Sequence, residues 1–226
     1  MDRSAVQQLY TRRIDAYHAF IGFFQSQRGL RKLLETSVPL RSSLRVLDAG
    51  CGSGMATFSL VEALRARDLD YERIDAFDLT PAMLSRFRAE LEARGTPRVR
   101  LAQADVLELD ALPRSWKDYD LVLSASMLEY LEKRDLPSAL AQLRGRLAPG
   151  GRILAMITRK SLETKIFIEW AWHAARYTES ELRSAFAEAG LDVRFVPFPR
   201  PFVWLNRANY VVSAKEPHGR GADARS

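Results

Sequence analysis

Residues 48–54 combine an acid with closely spaced glycines. Asp48 is followed by glycines at alternate positions, namely Gly50, Gly52 and Gly54. Glycines let the backbone turn sharply and let a ligand approach its amides, and a helix that follows such a turn offers its positive N-terminus. A phosphate-binding loop would also need a lysine, but none occurs between Lys32 and Lys117, and Asp48 would repel a phosphate. The turn therefore indicates a pocket for a ligand that is cationic or rich in hydrogen-bond donors.

Two further acids follow later apolar segments. Asp78 ends the second such segment, where a carboxylate can accept hydrogen bonds from both hydroxyls of a ribose. Asp105 follows the third segment and could hold an exocyclic amine, while Val106 and Leu79 could sandwich a purine ring. With the glycine turn, these acids describe a site for an adenosine that carries a positive appendage without phosphate.

The acids lie at the ends of predicted strands in a chain that alternates strands with helices. Five apolar segments are typical of buried strands: 45–49, 74–78, 99–103, 120–124 and 153–157. Such alternation forms βαβ units, and hence a mostly parallel sheet covered by helices on both faces. Ligands of these sheets bind beyond the carboxyl ends of the strands, so the chemistry is expected in the loops that follow them.

Local signals mark the helices and a final hairpin. Thr80 is a predicted N-cap before Pro81, and Gly95 is the predicted stop of that helix. Thr178 and Glu181 have the spacing of a capping box, which opens a helix that ends near Gly190. The remaining predicted elements are helices over 30–34, 55–64, 136–147 and 161–175, and strands near 193–196 and 210–214 that pair as a hairpin. Residues 149–151 are expected to end the helix over 136–147.

The sequence resembles the class I S-adenosylmethionine-dependent methyltransferases, which are built on a seven-stranded, Rossmann-like sheet. The resemblance rests on five segments in order: 46–54, the acid Asp78, 103–106, 120–124 and 147–151. It implies an α/β fold, a three-layer sandwich around a mostly parallel seven-stranded sheet with an antiparallel strand from the C-terminal hairpin. That antiparallel strand would lie between the fifth and sixth strands. The implied cofactor is S-adenosyl-L-methionine.

The resemblance also implies roles for the matched positions. Asp48 and the turn would face the methionine portion of the cofactor, Asp78 the ribose, and Asp105 with Val106 the adenine. Ser124, at the end of the fourth strand, would line the same pocket. The predicted cofactor-binding residues are Asp48, Gly50, Cys51, Gly52, Gly54, Asp78, Leu79, Asp105, Val106 and Ser124. Cys51 has no neighbouring base in the sequence, so packing is favoured over a nucleophilic role.

Three regions are distinguished along the chain. Residues 1–43 are expected to form an N-terminal helical cap or lid, and residues 44–216 the methyltransferase domain with a helical insert near 161–177. Residues 217–226 lack apolar side chains and are expected to be a disordered tail. An apolar stripe in the first region is equally consistent with a lid and with a helix that covers the core.

The first region and the insert supply the predicted substrate contacts. Tyr10 and Tyr17 belong to the N-terminal stripe, and Trp170 and Trp172 to the insert, where they would line an apolar acceptor pocket or belong to the core. His173 is the predicted catalytic base because an imidazole titrates near neutral pH, although a structural role is at least as well supported.

Composition excludes several classes of protein. With 47% hydrophobic and 27% charged residues the chain is neither disordered nor fibrous, and no apolar run reaches the length of a membrane span. A single cysteine, Cys51, cannot form an internal disulfide, and no secretory signal is evident at Met1, so a cytoplasmic location is expected. The net charge of +6 favours a solvated basic surface over a nucleic-acid patch.

No metal site is predicted, because the histidines are too scattered to share an ion: His18, His173 and His218. Glu129 and Glu132 lie three residues apart and are expected to share one solvated helix face. The function predicted from the sequence is transfer of a methyl group from S-adenosylmethionine to a small, apolar or aromatic molecule. The alternatives are an RNA or protein methyltransferase and a non-catalytic scaffold that binds the cofactor. The oligomeric state is left open.

Overall fold

The computed structural model describes residues 26–160 and 175–217. Five α-helices lie in these ranges: α1 Ser26–Ser37, α2 Met55–Arg65, α3 Pro81–Ala93, α4 Leu136–Arg144 and α5 Glu179–Glu188. The strands are β1 Leu44–Ala49, β2 Tyr71–Asp78, β3 Val99–Gln103, β4 Tyr119–Ala125, β5 Leu147–Thr158, β6 Asp192–Phe195 and β7 Asn209–Lys215. Short 3-10 helices cover Leu109–Ala111, Leu128–Tyr130, Lys133–Asp135 and Val203–Arg207.

The strands form one seven-stranded sheet in the order β3-β2-β1-β4-β5-β7-β6. Strands β1 to β5 pair in parallel, while β7 is antiparallel to both β5 and β6. This confirms the predicted fold class, the hairpin of the last two strands and the insertion of β7 between β5 and β6. From β1 the chain adds β2 and β3 on one side and then β4 and β5 on the other, so the strand order reverses between β1 and β4. Ligands of such sheets bind at this switch point.

The central strands are buried on both faces, which explains their nearly continuous apolar sequences. On one face Leu47, Val122 and Ile153 pack with apolar residues of α4 and α5. On the opposite face, β1, β4 and β5 residues pack with α1 and α2. The helix α1 contributes Leu30, Leu33 and Leu34 to that second cluster, each at most 2% exposed. The proposed division of the chain at residue 43 remains a prediction.

Two predicted helices have different bounds in the structure. The helix expected over 30–34 is longer and covers Ser26–Ser37. The helix expected to reach Leu147 ends at Arg144, and Leu147 already belongs to β5, where it pairs with Tyr119. The next paired residue of β5 is Arg152, so residues 148–151 form an irregularity inside the strand instead of a helix stop. The periodicity of leucines extended the prediction too far, because β5 itself begins with a partly buried leucine.

The predicted helix caps are confirmed in part. At the start of α5 the Thr178 hydroxyl accepts from the backbone N–H of Glu181, whose carboxylate accepts from the backbone N–H of Thr178, so the capping box is complete. At the start of α3, Thr80 occupies the N-cap position and Pro81 the first turn, but the Thr80 side chain makes no capping hydrogen bond. That side chain is instead hydrogen-bonded to Asp78, which connects α3 to the end of β2.

Candidate functional site at the carboxyl edge of the sheet

The glycine turn connects β1 to α2 and is held by its own backbone. Cys51 N–H donates to the carbonyl of Phe77 on β2 at 2.9 Å, and Gly54 N–H donates to the carbonyl of Cys51 at 2.9 Å. All three glycines have positive φ angles, a conformation that other residues rarely adopt. A side chain at Gly50 would collide with Met127, and one at Gly54 with the ring of Phe87. These two positions therefore require glycine for packing as well as for backbone conformation.

Gly52 differs from the other two glycines because it faces open space. A Cβ atom at this position would have no heavy atom within 4 Å in the described structure. Its backbone N–H donates to Asp78 Oδ2 at 2.8 Å, which fixes the middle of the turn against the end of β2. The turn thus has an anchored side and an open side, and the open side is where a ligand can approach the backbone.

Asp48, the last acid before the turn, is completely buried. Its Oδ2 atom accepts hydrogen bonds from the hydroxyl of Thr57 at 2.6 Å and from the backbone N–H of Thr57 at 3.1 Å. Its Oδ1 atom is buried and has no hydrogen-bond partner among the described residues. Burial raises the pKa of Asp48 to about 6, against the lowering effect of the Thr57 hydrogen bonds. A positive or donor-rich ligand would pair with Oδ1 and remove this penalty.

Asp78 bridges two loops at the edge of the sheet. Besides accepting from Gly52, its Oδ1 atom accepts from the backbone N–H of Thr80 at 2.8 Å. Enclosure by the protein raises the pKa of Asp78, although these backbone donors oppose the shift. The side chain remains partly exposed, and each carboxylate oxygen has a second lone pair. Asp78 can therefore position the turn and still accept hydrogen bonds from two ligand hydroxyls.

The loop after β3 lies against the loop after β2. Gln103 Nε2 donates to the carbonyl of Leu79 at 3.2 Å, and Ala104 N–H donates to the carbonyl of Asp78 at 3.2 Å. Asp105 is half-buried and accepts from the backbone N–H of Leu107 at 2.9 Å, while Val106 is buried in the core. The structure thus brings the residues predicted to hold ribose and adenine to neighbouring loops.

Cys51 and Ser124 are buried at the same edge. Cys51 packs in a cluster with Phe58 and Phe87, and burial raises the pKa of its thiol well above the usual range. These surroundings favour the predicted packing role over a nucleophilic one. Ser124 is almost completely buried at the end of β4, and its hydroxyl has no partner among the residues described. Its contact with a cofactor stays a prediction.

Glu129 corrects the expectation of a solvated helix face. Its side chain is only 2% exposed, and its Oε1 atom accepts from the Thr158 hydroxyl at 2.9 Å. Glu132 is exposed, and the two acids do not share a helix: Glu129 lies in the 3-10 helix Leu128–Tyr130, and Glu132 precedes the 3-10 helix Lys133–Asp135. Glu129 is therefore a polar residue of the carboxyl edge that sequence reasoning missed. The available signal was its position in the loop directly after β4, between the apolar residues Leu128 and Leu131.

The predicted substrate and catalytic residues Tyr10, Tyr17, Trp170, Trp172 and His173 lie outside the described residues, as do residues 218–226 of the predicted tail. Within residues 26–160 and 175–217, no group of three or more His, Cys, Asp or Glu side chains could hold a metal ion. The same ranges contain no helix that is long and apolar enough to cross a membrane.

The described groups fit S-adenosylmethionine. This molecule carries an ammonium group, a sulfonium, two ribose hydroxyls and an exocyclic amine, so it presents positive charge and donors to a pocket. The site offers the unpaired oxygen of Asp48, the open side of Gly52 and the carboxylate of Asp78. The two carboxylates suit a ligand that brings hydrogen-bond donors or positive charge and would repel a phosphate, while the open side of Gly52 leaves room for the ligand to approach the backbone.

Comparison with known proteins agrees with this geometry. A protein family described as "Methyltransferase domain" matches residues 46–151, which run from β1 into β5. The chain is 34% identical over 165 residues to a malonyl-[acyl-carrier protein] O-methyltransferase of Halorhodospira halophila, covering 72% of this chain and 46% of that protein. It is 29% identical over 143 residues to a trans-aconitate 2-methyltransferase of Deinococcus radiodurans, covering 63% and 48%. The chain thus spans about half the length of these curated relatives.

Solved structures show the same fold. The crystal structure of magnesium protoporphyrin IX methyltransferase from Synechocystis PCC 6803, with S-adenosylhomocysteine bound, superposes with a TM-score of 0.72. The match covers 96% of this chain and 100% of that chain, at 15% sequence identity. At this low identity the likeness concerns the architecture alone.

Proposed function

We propose a function from one premise: the chain belongs to the class I S-adenosylmethionine-dependent methyltransferases, whose cofactor is S-adenosyl-L-methionine. The proposed activity is transfer of the methyl group of this cofactor to a small molecule with an apolar or aromatic body. When bound, the cofactor supplies a methyl carbon on a positively charged sulfur, which is an excellent leaving group. The protein's task is then to align the acceptor with that carbon and to exclude water.

One observation carries the proposal most directly: the Oδ1 atom of Asp48 is fully buried and unpaired among the described residues, beside a turn whose Gly52 faces open space. A buried oxygen without a partner costs about 1–3 kcal/mol, so its surroundings favour a ligand that donates to it. Asp48 would bind the positive methionine portion, and Asp78 the ribose hydroxyls. Asp105 and Val106 would hold the adenine.

The acceptor would bind on the β4 side of the switch point between β1 and β4, where the strand order reverses. All of the predicted cofactor residues except Ser124 lie at or after the ends of β1, β2 and β3, and Ser124 itself lies within β4, which leaves the loops after β4 and β5 for the second reactant. The curated relatives act on malonyl-[acyl-carrier protein] and on trans-aconitate, so one catalytic domain serves different acceptors. An apolar or aromatic acceptor is proposed from the sequence of the insert near 161–177, which carries Trp170 and Trp172.

The proposal predicts that the purified protein binds S-adenosylhomocysteine in calorimetry and transfers radiolabelled methyl groups to members of a small-molecule library. Turnover should change little between low and physiological salt. Binding without transfer to any small molecule, peptide or RNA would support a cofactor-binding scaffold instead. Transfer to RNA with a log–log salt slope steeper than about −3 would support an RNA methyltransferase, because each neutralised phosphate releases counterions.

A further inference from the structure

Glu129 is a buried acid on the side of the site that the cofactor residues leave free. Its Oε1 atom accepts from the hydroxyl of Thr158, the last residue of β5, at 2.9 Å. The loop that carries Glu129 also lies over the glycine turn, because Met127 occupies the space that a side chain at Gly50 would need. The carboxyl group of Glu129 therefore lies at the carboxyl edge of the sheet, in the loop that covers the turn.

Two polar atoms in this region are buried without a partner. They are Glu129 Oε2 and the hydroxyl of Tyr177, and neither forms a hydrogen bond with another described residue. Both side chains are only 2% exposed. Both residues contact Thr158, Glu129 through its carboxylate and Tyr177 through its backbone N–H, so the two belong to one cluster. Because buried polar atoms are nearly always paired, these two atoms call for a polar group between or beside them.

The backbone holds Glu129 in this position. The Glu129 carbonyl accepts from the backbone N–H of Ala175 at 2.6 Å, and Tyr177 N–H donates to the carbonyl of Thr158 at 3.3 Å. These bonds attach the start of the segment before α5 to the ends of β4 and β5. Glu129 lies in the connection that follows β4, and Thr158 and Tyr177 lie at the two ends of the connection from β5 to α5. The three residues thus form a fixed cluster, which is the arrangement expected of a preorganised site.

We propose that Glu129 is the general base of the methyl transfer and that its Oε2 atom binds the reacting hydroxyl group of the acceptor. This inference rests on the proposed function. The Tyr177 hydroxyl is the second contact on the same acceptor oxygen. A hydroxyl group fits both atoms, because it can donate its hydrogen to a carboxylate and accept a hydrogen from a phenol. A carboxylate acceptor has no hydrogen to donate, and its charge would be repelled by an ionised Glu129.

In the proposed step a carbon–sulfur bond and the O–H bond of the acceptor break, and a carbon–oxygen bond and an O–H bond on Glu129 form. The acceptor oxygen gives an electron pair to the methyl carbon and displaces the sulfur, which keeps the electron pair of the broken carbon–sulfur bond. The hydroxyl proton passes to Glu129 Oε2. The positive charge of the sulfonium and the negative charge of the carboxylate disappear together, and the products are a methyl ether, a neutral sulfide and a protonated Glu129.

The electrostatic surroundings suit a base that works near neutral pH. Burial raises the pKa of Glu129 to about 7, although hydrogen bonds from Thr158 and from the backbone oppose the shift. Among the described residues, the charged groups beside the cluster are Lys133, whose Nζ lies 5.0 Å from the centre of the Tyr177 ring, and Glu181 on α5. These two pair with each other at 2.6 Å, so their charges largely cancel at Glu129. A base with this pKa can accept a proton and release it again.

The test uses the full chain, radiolabelled S-adenosylmethionine and acceptors in matched sets that share one ring and differ in the reacting group, beginning with phenol, aniline and benzoate. Glu129→Gln should lower kcat for phenol about 10²–10⁴-fold and remove the rise in rate through about pH 7. The KM for S-adenosylmethionine should stay near the wild-type value. Glu129→Asp should recover part of kcat, and the exposed control Glu132→Gln should behave like wild type.

A readout that needs no turnover is proton exchange when phenol binds to the protein loaded with S-adenosylhomocysteine. Calorimetry in two buffers of different ionisation enthalpy should show that protons are exchanged when phenol binds to the wild-type protein. Glu129→Gln should abolish this exchange, whereas Tyr177→Phe should retain it and bind phenol more weakly. If Glu129→Gln does not fold, Glu129→Asp takes its place: the shortened side chain should lower kcat and weaken the proton exchange, whereas Tyr177→Phe should weaken phenol binding and keep the exchange.

Several outcomes would overturn the inference. One is a folded Glu129→Gln protein with wild-type kcat and pH profile; another is transfer to amines or carboxylates in preference to hydroxyl groups. Absence of proton exchange in the wild-type protein would also contradict it, and would assign Glu129 and Tyr177 to a structural cluster bridged by water. Each of these results leaves the proposed function intact. The proposed function itself fails if the wild-type protein binds the cofactor and methylates no acceptor of any class.

Discussion

Two carboxylates on neighbouring strands are equally buried and yet have opposite surroundings. Asp75 lies within β2 and Asp48 near the end of β1, and both are 0% exposed. Asp75 Oδ1 accepts from Arg100 Nε at 2.6 Å, and its Oδ2 accepts from Arg73 Nε, Arg100 Nη2 and the Tyr119 hydroxyl at 2.7 to 2.9 Å. Asp48 has two donors, both from Thr57 and both on Oδ2.

The difference follows from where each residue lies along its strand. Asp75 lies between strands that continue past it, so side chains of β2, β3 and β4 can surround both of its oxygens. Asp48 lies just before the glycine turn, and no donor of the described residues forms a hydrogen bond with its Oδ1 atom. A buried carboxylate whose two oxygens both accept hydrogen bonds from the protein stabilises the fold. A buried carboxylate with an unpaired oxygen can still accept a hydrogen bond from a ligand. Glu129 belongs with Asp48 in this respect.

The largest expected effect concerns Asp75. Replacement of Asp75 by alanine should lower the free energy of unfolding by about 3 kcal/mol, because it leaves two guanidinium groups and a buried phenol without their acceptor. The value lies at the low end for a broken buried pair, since Arg73 and Arg100 are 24% and 44% exposed and can reach water. Urea unfolding would measure the loss, and affinity for S-adenosylhomocysteine should not change below the unfolding transition.

A suitable control is Asp70→Ala, which breaks the exposed pair of Asp70 with Arg98 at 2.6 Å. Exposed pairs contribute at most about 1 kcal/mol, so this variant should be close to wild type. Equal losses in the two variants would mean that burial of Asp75 carries no special weight. A loss of cofactor affinity in Asp75→Ala alone would contradict the assignment of Asp75 to the fold.

Asp48→Asn should have the opposite effect on stability. Because the pKa of folded Asp48 is raised from 3.8 to about 6, the ionised carboxylate destabilises the ligand-free protein. The penalty is absent below about pH 4, grows as the pH rises toward 6 and is complete above it, where it reaches up to about 3 kcal/mol. The ligand-free Asn variant should therefore unfold at a higher temperature than wild type near pH 8 and lose this advantage near pH 4. Its affinity for S-adenosylhomocysteine should fall at pH 8.

Thr57→Val provides the matched variant with the reverse sign, because it removes the hydroxyl that donates to Asp48 Oδ2 at 2.6 Å. It should destabilise the protein above pH 6 by about 1 kcal/mol and less at acid pH. If Asp48→Asn instead destabilised the protein at pH 8 as strongly as Asp75→Ala, Asp48 would be a structural residue and the contrast between the two acids would disappear.

The sequence sufficed to predict the strands and to place the acids that follow them at one edge of the sheet. Buried parallel strands have apolar sequences that end abruptly, so the segments at 45–49 and 74–78 could be recognised without tertiary information. The residues that follow them must then share one edge of the sheet. This is why Asp48, Asp78 and Asp105 could be placed together in advance, and their loops are indeed adjacent.

The region after β4 and β5, where the acceptor is proposed to bind, could not be predicted in the same way, because its features depend on contacts between distant segments. Glu129 and Glu132 have helical spacing, but the chain forms two short 3-10 helices there, and the buried Glu129 is hydrogen-bonded to the distant residues Thr158 and Ala175. Leu147 fits the spacing of the preceding helix equally well, yet pairing with Tyr119 places it in β5. In both cases tertiary contacts decided between local patterns of similar strength.

The smallest expected effect distinguishes a glycine that faces a ligand from one that only ends a helix. Gly52 and Gly95 have nearly the same backbone conformation, with φ of 54° and 56°, and a Cβ atom at either position meets nothing within 4 Å among the described residues. Alanine at each should therefore cost about 1 kcal/mol of stability from the left-handed conformation alone. Gly52→Ala should in addition weaken binding of S-adenosylhomocysteine, because its methyl group would occupy the open side of the turn.

Calorimetry of both variants at one temperature below their unfolding transitions separates the two contributions. Gly95 follows α3 on an exposed turn, so Gly95→Ala reports the backbone strain without any contact to a ligand. A fall in affinity for Gly52→Ala alone, at equal stability loss, would assign the open side of the turn to the cofactor. Equal affinities would show that the ligand does not approach Gly52. The unpaired oxygen of Asp48 would then have to be reached from the direction of Ser124 and β4, which is the neighbouring strand on the other side of β1.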